Sequence, residues 1–224
     1  MGEPSRISCV VHAGDGEFTD VERKAELGGN LHAKGMMIMQ AFLISELELD
    51  QPLPFSASIV FEQSYGEVDG DSASLAELCA LISALSMQPI NQQIAVTGSV
   101  DQFGNVQPIG GVNEKIEGFF EVCQRRGLTG KQGVILPTSN VRNLCLHQQV
   151  LDAVREGQFH LWAVDNAAEA LPILTGLIYT NEEEAEEERP SLLGLIQQRI
   201  ALATSQGSPR YPWPLRWLNW FNRS

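Results

Sequence analysis

Clusters of positive charge are missing from this 224-residue chain: 15 Lys and Arg are scattered among 28 Asp and Glu, for a formal net charge of -13. Neutralising phosphates takes several cations on one face, so a nucleic-acid partner is not expected. Cysteine is scarce too. Cys9, Cys79, Cys123 and Cys145 are far apart, three of them in apolar stretches. That pattern excludes a disulfide framework and suits small buried side chains in a reducing cytoplasm. There is no run of eighteen apolar residues and no basic start followed by a short apolar segment, so neither a membrane span nor a signal peptide is expected. His12, His32, His147 and His160 are not spaced for chelation, which leaves no metal site. The G-x-S-x-G elbow of Ser-His-Asp hydrolases is broken, because Ser74 sits where its second glycine belongs.

The 43% hydrophobic and 19% charged residues that are present suit a globular domain with a real core. Residues 7–13 and 57–63 read as strands, and a helix over 30–47 follows Gly28-Gly29. The Met36, Met37, Ile38, Met39 cluster on that helix is read as core. A second helix over about 72–85 repeats Leu75, Leu78, Cys79, Ile82 and Leu85 at three and four residues. Ser74 with Glu77 gives its start a capping-box signal, with Asp71 or Ser72 as other possible caps. Strands at 94–100 and 106–109 flank a turn containing Gly104, a third helix over about 113–126 buries Ile116, Phe119, Phe120 and Cys123 and stops at Gly127, and 133–137 and 159–164 are further strands. The alternation predicts an α+β (α/β-like) fold, a mixed β-sheet with flanking helices.

An acidic run at 182–188 is too charged to enter a core. It divides the chain into a domain at 1–180, a linker at 181–190 and a C-terminal extension at 191–224. The extension begins with an amphipathic helix carrying Leu192, Leu193, Leu195, Ile196 and Ile200, and its tail holds three of the four Trp residues. Aromatic density of this kind is expected to dock on its own domain or a neighbouring subunit.

Two glycine-flanked segments carry the chemistry. Asp69-Gly70-Asp71-Ser72-Ala73-Ser74 enters a helix, where unpaired backbone N–H groups are available to hold an oxyanion. Pro108-Ile109-Gly110-Gly111-Val112-Asn113-Glu114-Lys115 puts a cation in the first turn of a helix, at the positive end of its dipole. Either segment alone has a structural explanation: a helix cap for Ser72, a surface lysine for Lys115. Together they fit a serine nucleophile activated by an uncharged amine. Such an amine must titrate about three units below a free lysine, and desolvation and the helix start both push that way. The hydroxyl of Thr97 is the candidate to aim its lone pair.

These segments, with the Thr97-Gly98 step between them and 43 positions from Ser72 to Lys115, resemble the serine and lysine motifs of the Lon protease family in order and spacing. Glu26-Leu27-Gly28-Gly29-Asn30-Leu31-His32-Ala33-Lys34-Gly35 is similar to the archaeal membrane-associated branch and its bacterial relatives. The ending from Trp213 to Phe221 resembles gamma-proteobacterial members. The resemblance implies a Ser-Lys endopeptidase acting on unfolded polypeptides as a homo-oligomer, usually a hexameric ring. Ser72 would be nucleophile, Lys115 base and Thr97 its orienting group, with Asp69 and Asp71 regulatory or structural. It also implies an ATP-hydrolysing module, yet no G-x-x-x-x-G-K-[ST] loop occurs, so ATP and Mg are expected only for a module outside this chain and no cofactor within it. The alternative is a non-catalytic Lon-like assembly or binding module, against which the retention of both Ser72 and Lys115 argues.

Overall fold

The computed structural model describes residues 2–49, 52–180 and 190–205; the acidic run at 182–188 and the tryptophan-rich tail lie outside the described residues. Helices and strands are mixed as expected for α+β, but the strands form three small sheets among the described residues instead of one mixed sheet. In the first, β1 (Arg6–Ala13) runs antiparallel to β3 (Phe55–Glu62), and β2 (Phe18–Asp20) runs parallel to its other edge. The short α1 (Val21–Lys24) follows, then α2 (Asn30–Leu47) with the bounds its glycine start predicts. Met36 and Met39 are buried on α2 but Met37 is 64% exposed, since four consecutive helical positions cannot all face one side.

The third helix, α3 (Ser74–Ser86), starts two residues later than expected, and no side chain caps it. The capping-box signal is not used, because both of its members are drawn inward. Ser74 Oγ accepts from the N–H of Val100 at 3.0 Å, and Glu77 is buried beside His32 at 3.6 Å. Leu75, Leu78, Leu81, Ile82 and Leu85 are fully buried against α2 and β3.

A second, parallel sheet has the order β4 (Ile94–Val96), β7 (Gln132–Pro137), β8 (Phe159–Val164). The expected strand at 94–100 breaks at Thr97-Gly98, and its remainder, β5 (Ser99–Val100), pairs with β6 (Val106–Gln107) as a separate hairpin. Alternation along β7 divides the interior: Ile135 joins the core built on α2 and α3, while Val134 and Leu136 join a second core with Ile116, Phe120 and Cys123 of α4 (Val112–Arg126). Val150 of α5 (Gln148–Arg155) completes this second core, and Leu171 of α6 (Ala167–Thr175) lies in the first. Cys79 and Cys123 are buried and Cys9 is half-buried, but Cys145 is exposed, on the loop after a 3₁₀ turn at Thr138–Asn143; all four thiols are free.

The last described helix, α7 (Leu192–Ser205), starts on Ser191, whose Oγ accepts the N–H of Gly194 at 3.1 Å. Leu192, Ile196 and Ile200 enter the first core. Arg199 donates to the carbonyls of Ala84 and Leu85 at 2.8 and 2.9 Å and lies 4.6 Å over the Phe55 ring, so α7 satisfies the open C-terminal end of α3. Arg199→Met keeps the aliphatic stem and loses the clamp. It is expected to cost about 2–3 kcal/mol, read as a lower urea midpoint at unchanged slope. No helix among the described residues is long and apolar enough to cross a membrane.

Candidate active site

The carboxyl end of edge strand β4 is where the two cores meet. The start of α3 arrives from one side of the sheet and the start of α4 from the other, a usual place for a ligand in an α/β arrangement. Thr97 continues the ladder, donating its N–H to Ile135 at 3.0 Å. The next residue turns the backbone toward Ser72: Gly98 N–H donates to the Ser72 carbonyl at 2.9 Å, and the Gly98 carbonyl accepts from Leu75 at 3.1 Å. A Cβ at Gly98 would stand 3.1 Å from both Leu75 Cδ2 and Val106 Cγ1, tighter than ordinary contact, so a side chain here would push these segments apart.

Ser72 leads into α3 from a loop that Gly70 turns at φ +95°. The first amides of the helix are occupied, Ser74 N–H by the Asp71 carbonyl at 3.0 Å and Leu75 N–H by Gly98. The backbone N–H groups of Ser72 and Ala73 have no acceptor among the described residues. The free donors are therefore one step earlier than the helix start proper, beside the Ser72 hydroxyl.

Lys115 is the fourth residue of α4, its N–H accepted by Gly111 at 3.0 Å, with Gly111 at φ +66°. Its Nζ lies 2.7 Å from Ser72 Oγ and 3.4 Å from Thr97 Oγ1, donating to each. The structure thus brings to Lys115 two side chains that are 43 and 18 positions away in sequence. Burial pushes the Lys115 amine below the usual lysine range, and the Asp71 charge pulls the other way. Lys115 forms no ion pair within 4.0 Å among the described residues. Asp71 bonds elsewhere, accepting the Ser99 hydroxyl at 2.9 Å. Asp69 makes no ion pair with the lysine; its Oδ1 accepts the N–H of Leu31 at 3.2 Å and supplies α2 with the side-chain cap that Gly29 lacks.

Two supports were not visible in sequence. Ser99 anchors Asp71, and Asn140, in the 3₁₀ turn, accepts from Ile109 N–H at 2.9 Å and donates to its carbonyl at 3.0 Å, bracing the loop ahead of Lys115. Asn113 adds a bond from Cys145 N–H at 2.8 Å. Nothing short of the folded structure links residues 109 and 140; Asn113 lies in the lysine segment, but Asn140 lies in no motif. Strand β3 is central in its sheet. Its open edge is taken by β2 and by Glu22, which accepts the Phe61 N–H at 2.8 Å, so any contact with substrate falls to its side chains and the loop after it.

Residues 63–176, which hold every side chain of this site, match the family described as the Lon protease (S16) C-terminal proteolytic domain. Two relatives bear the name "Putative Lon protease homolog". The Escherichia coli (strain K12) protein is 68% identical over 99% of this chain, and the Haemophilus influenzae protein is 58% identical over 89%. The chain spans only 37% and 33% of their lengths. An "Archaeal Lon protease" of Methanocaldococcus jannaschii is 49% identical over 37% of this chain and 12% of its own length. With the family's proteolytic domain covering half of the chain and the two long matches carrying the same family name, this chain belongs to the Lon protease (S16) family.

Proposed function

We propose that this chain is a serine endopeptidase domain that hydrolyses peptide bonds of unfolded polypeptides through Ser72 and Lys115. The observation that carries the proposal is the 2.7 Å approach of Lys115 Nζ to Ser72 Oγ by an amine that burial already disfavours as a cation. In its uncharged form Lys115 takes the hydroxyl proton as Ser72 Oγ attacks the scissile carbonyl. The Ser72 and Ala73 N–H groups, which have no acceptor among the described residues, receive the oxyanion. Lys115 then returns the proton to the leaving amine, and water activated the same way releases the acyl group. Thr97 Oγ1, near both the amine and the Ser72 carbonyl, keeps Nζ from swinging away.

As part of the same proposal, the working form is a cytoplasmic homo-oligomer, a hexameric ring, with ATP and Mg used only by a module outside this chain. The test is incubation with unfolded casein and, separately, with a fluorophosphonate reagent, comparing the chain with Ser72→Ala. Cleavage and covalent labelling that both vanish in the variant support the reading. Cleavage or labelling that persists in the variant rejects Ser72 as the nucleophile, and absence of both in the parent turns the reading to a non-catalytic assembly or binding module.

Asp71 gives this reading a pH dependence. Its charge favours the Lys115 ammonium, so Asp71→Asn, which keeps an oxygen for Ser99, is expected to lower the amine further and make it a base at more acidic pH. The rising limb of the labelling rate, followed against pH, should move toward acid in that variant.

A further inference from the structure

The first turns of α2 and α3 meet in a buried cluster of charge that the hydrolytic chemistry does not use. His32 and Glu77 are each 1% exposed, and Glu22 is 2% exposed. His32 Nε2 lies 3.1 Å from Asp20 Oδ2, its Nδ1 lies 3.6 Å from Glu77 Oε1, and its ring meets Phe61 of β3 edge-on at 5.7 Å. These approaches are ionic more than directional: Asp20 Oδ2, His32 Nε2 and Glu77 Oε1 all lack an aligned hydrogen-bond partner. Glu22 is committed to the Phe61 N–H, and Asp20 Oδ1 accepts the Glu22 N–H at 3.1 Å. Carboxylates from β2, α1 and α3 thus surround one imidazole from α2, and no Lys or Arg among the described residues acts on His32 or Glu77.

Because the two ring nitrogens face different acids, the cluster cannot close around a single metal ion. What it holds is protons. Burial raises the Glu77 carboxyl to about 7, His32 opposing and Asp20 and Glu22 reinforcing. The contact with Asp20 raises His32 against burial, with Glu77, Asp20 and Glu22 adding their charge.

The cluster touches the nucleophile loop from both sides. Leu31, whose N–H is bonded to Asp69, is the neighbour of His32. One turn further along α2, a Cβ at Gly35 would stand 3.0 Å from Asp71 Cβ and 3.6 Å from Ser74 Cβ. Glu77 shares the first turn of α3 with Ser74, directly after Ser72-Ala73. The segment 69–73 is therefore held between two helix starts whose separation the cluster sets.

We propose that Asp20, His32 and Glu77 form a proton-filled clamp that presses the start of α2 against the start of α3 and so positions the Ser72 loop, and that loss of its protons slackens the loop. The positioning role rests on Ser72 being the nucleophile, while the clamp is a property of the fold. His32 and Glu77 both titrate above their ordinary values in the folded chain. The contribution of Glu77 is full below its unfolded value of 4.5 and is lost as pH rises through about 7, and that of His32 is likewise present at low pH and lost as pH rises through its raised value. Alkaline solution leaves several carboxylates facing one imidazole, and α2 and α3 move apart.

Glu77→Gln keeps the shape of the side chain and removes its charge. Three measurements follow the chain and this variant from about pH 6 to about pH 8.5: the melting midpoint, hydrogen exchange at 69–73 corrected for its intrinsic pH dependence, and fluorophosphonate labelling of Ser72. Expected is a midpoint that falls more steeply with pH in the parent than in the variant, where His32 is the one member of the clamp with a raised value that still titrates. Exchange at 69–73 should become several-fold faster in the alkaline parent but not in the variant, with an alkaline decline of labelling that the variant lacks. His32→Phe, which fills the space without a charge, should give fast exchange at every pH. Superimposable midpoint and exchange profiles for parent and Glu77→Gln would overturn the clamp, and a midpoint difference without an exchange difference would overturn its hold on the loop. Absence of Ser72 labelling in the parent counts against the proposed function alone, and the exchange comparison still decides the clamp.

Discussion

Replacing Lys115 by methionine is expected to lower casein cleavage roughly a thousandfold or more while leaving the fold intact. Ser72→Ala should fall to the same floor, and the double variant no further, because nucleophile and base act as one unit and their losses do not add. The stability of Lys115→Met carries a separate prediction. The folded chain binds the lysine proton less well than the unfolded chain does, since burial lowers the amine. The amine's contribution to stability is therefore full only above the ordinary lysine value and falls as pH drops through the folded value. Methionine does not titrate, so the inactive variant should gain in urea midpoint over the parent at neutral pH and lose that advantage in strong alkali. A variant that is both inactive and less stable at neutral pH would instead make Lys115 a structural residue. The trade of stability for reactivity is the usual signature of a working group.

The second large effect is expected from α7. Leu192→Ala with Ile196→Ala empties two fully buried positions, 0% and 1% exposed, in the core that supports α3. Each truncation costs about 2–5 kcal/mol, so the pair about 4–10, against a total of about 5–15 for a domain. The doubly truncated chain should be largely unfolded at 37 °C by circular dichroism and should lose Ser72 labelling with it. If it melts like the parent, α7 is an appendage to the domain instead of part of its core.

How much of this was legible in sequence depended on distance along the chain. Helix α2 and the end of α4 were readable because glycines at their boundaries act locally, Gly29 before Asn30 and Gly127 after Arg126. The start of α3 was not. Ser74 and Glu77 carry the pattern of a capping box, but tertiary partners took both side chains, the Val100 amide for one and the His32 pocket for the other. The strand at 94–100 read as continuous because its residues favour strands throughout. It breaks because Gly98 gives its backbone hydrogen bonds to Ser72 and Leu75, which no local pattern announces. Ser72, Thr97 and Lys115 could be grouped by motif and chemistry before any coordinates. Asp69 could not be placed, since its partner, the Leu31 amide, lies on another helix. Ser99 and Asn140 have no signature at all, as each does its work through bonds to one residue in a distant stretch of chain.

The division of the interior by the parallel sheet carries a last consequence. The hydroxyl is anchored in one hydrophobic compartment and the amine in the other, so neither half-folded intermediate owns a working pair. On the proposed function, competence to cut is thereby tied to the closing of both compartments on their shared wall.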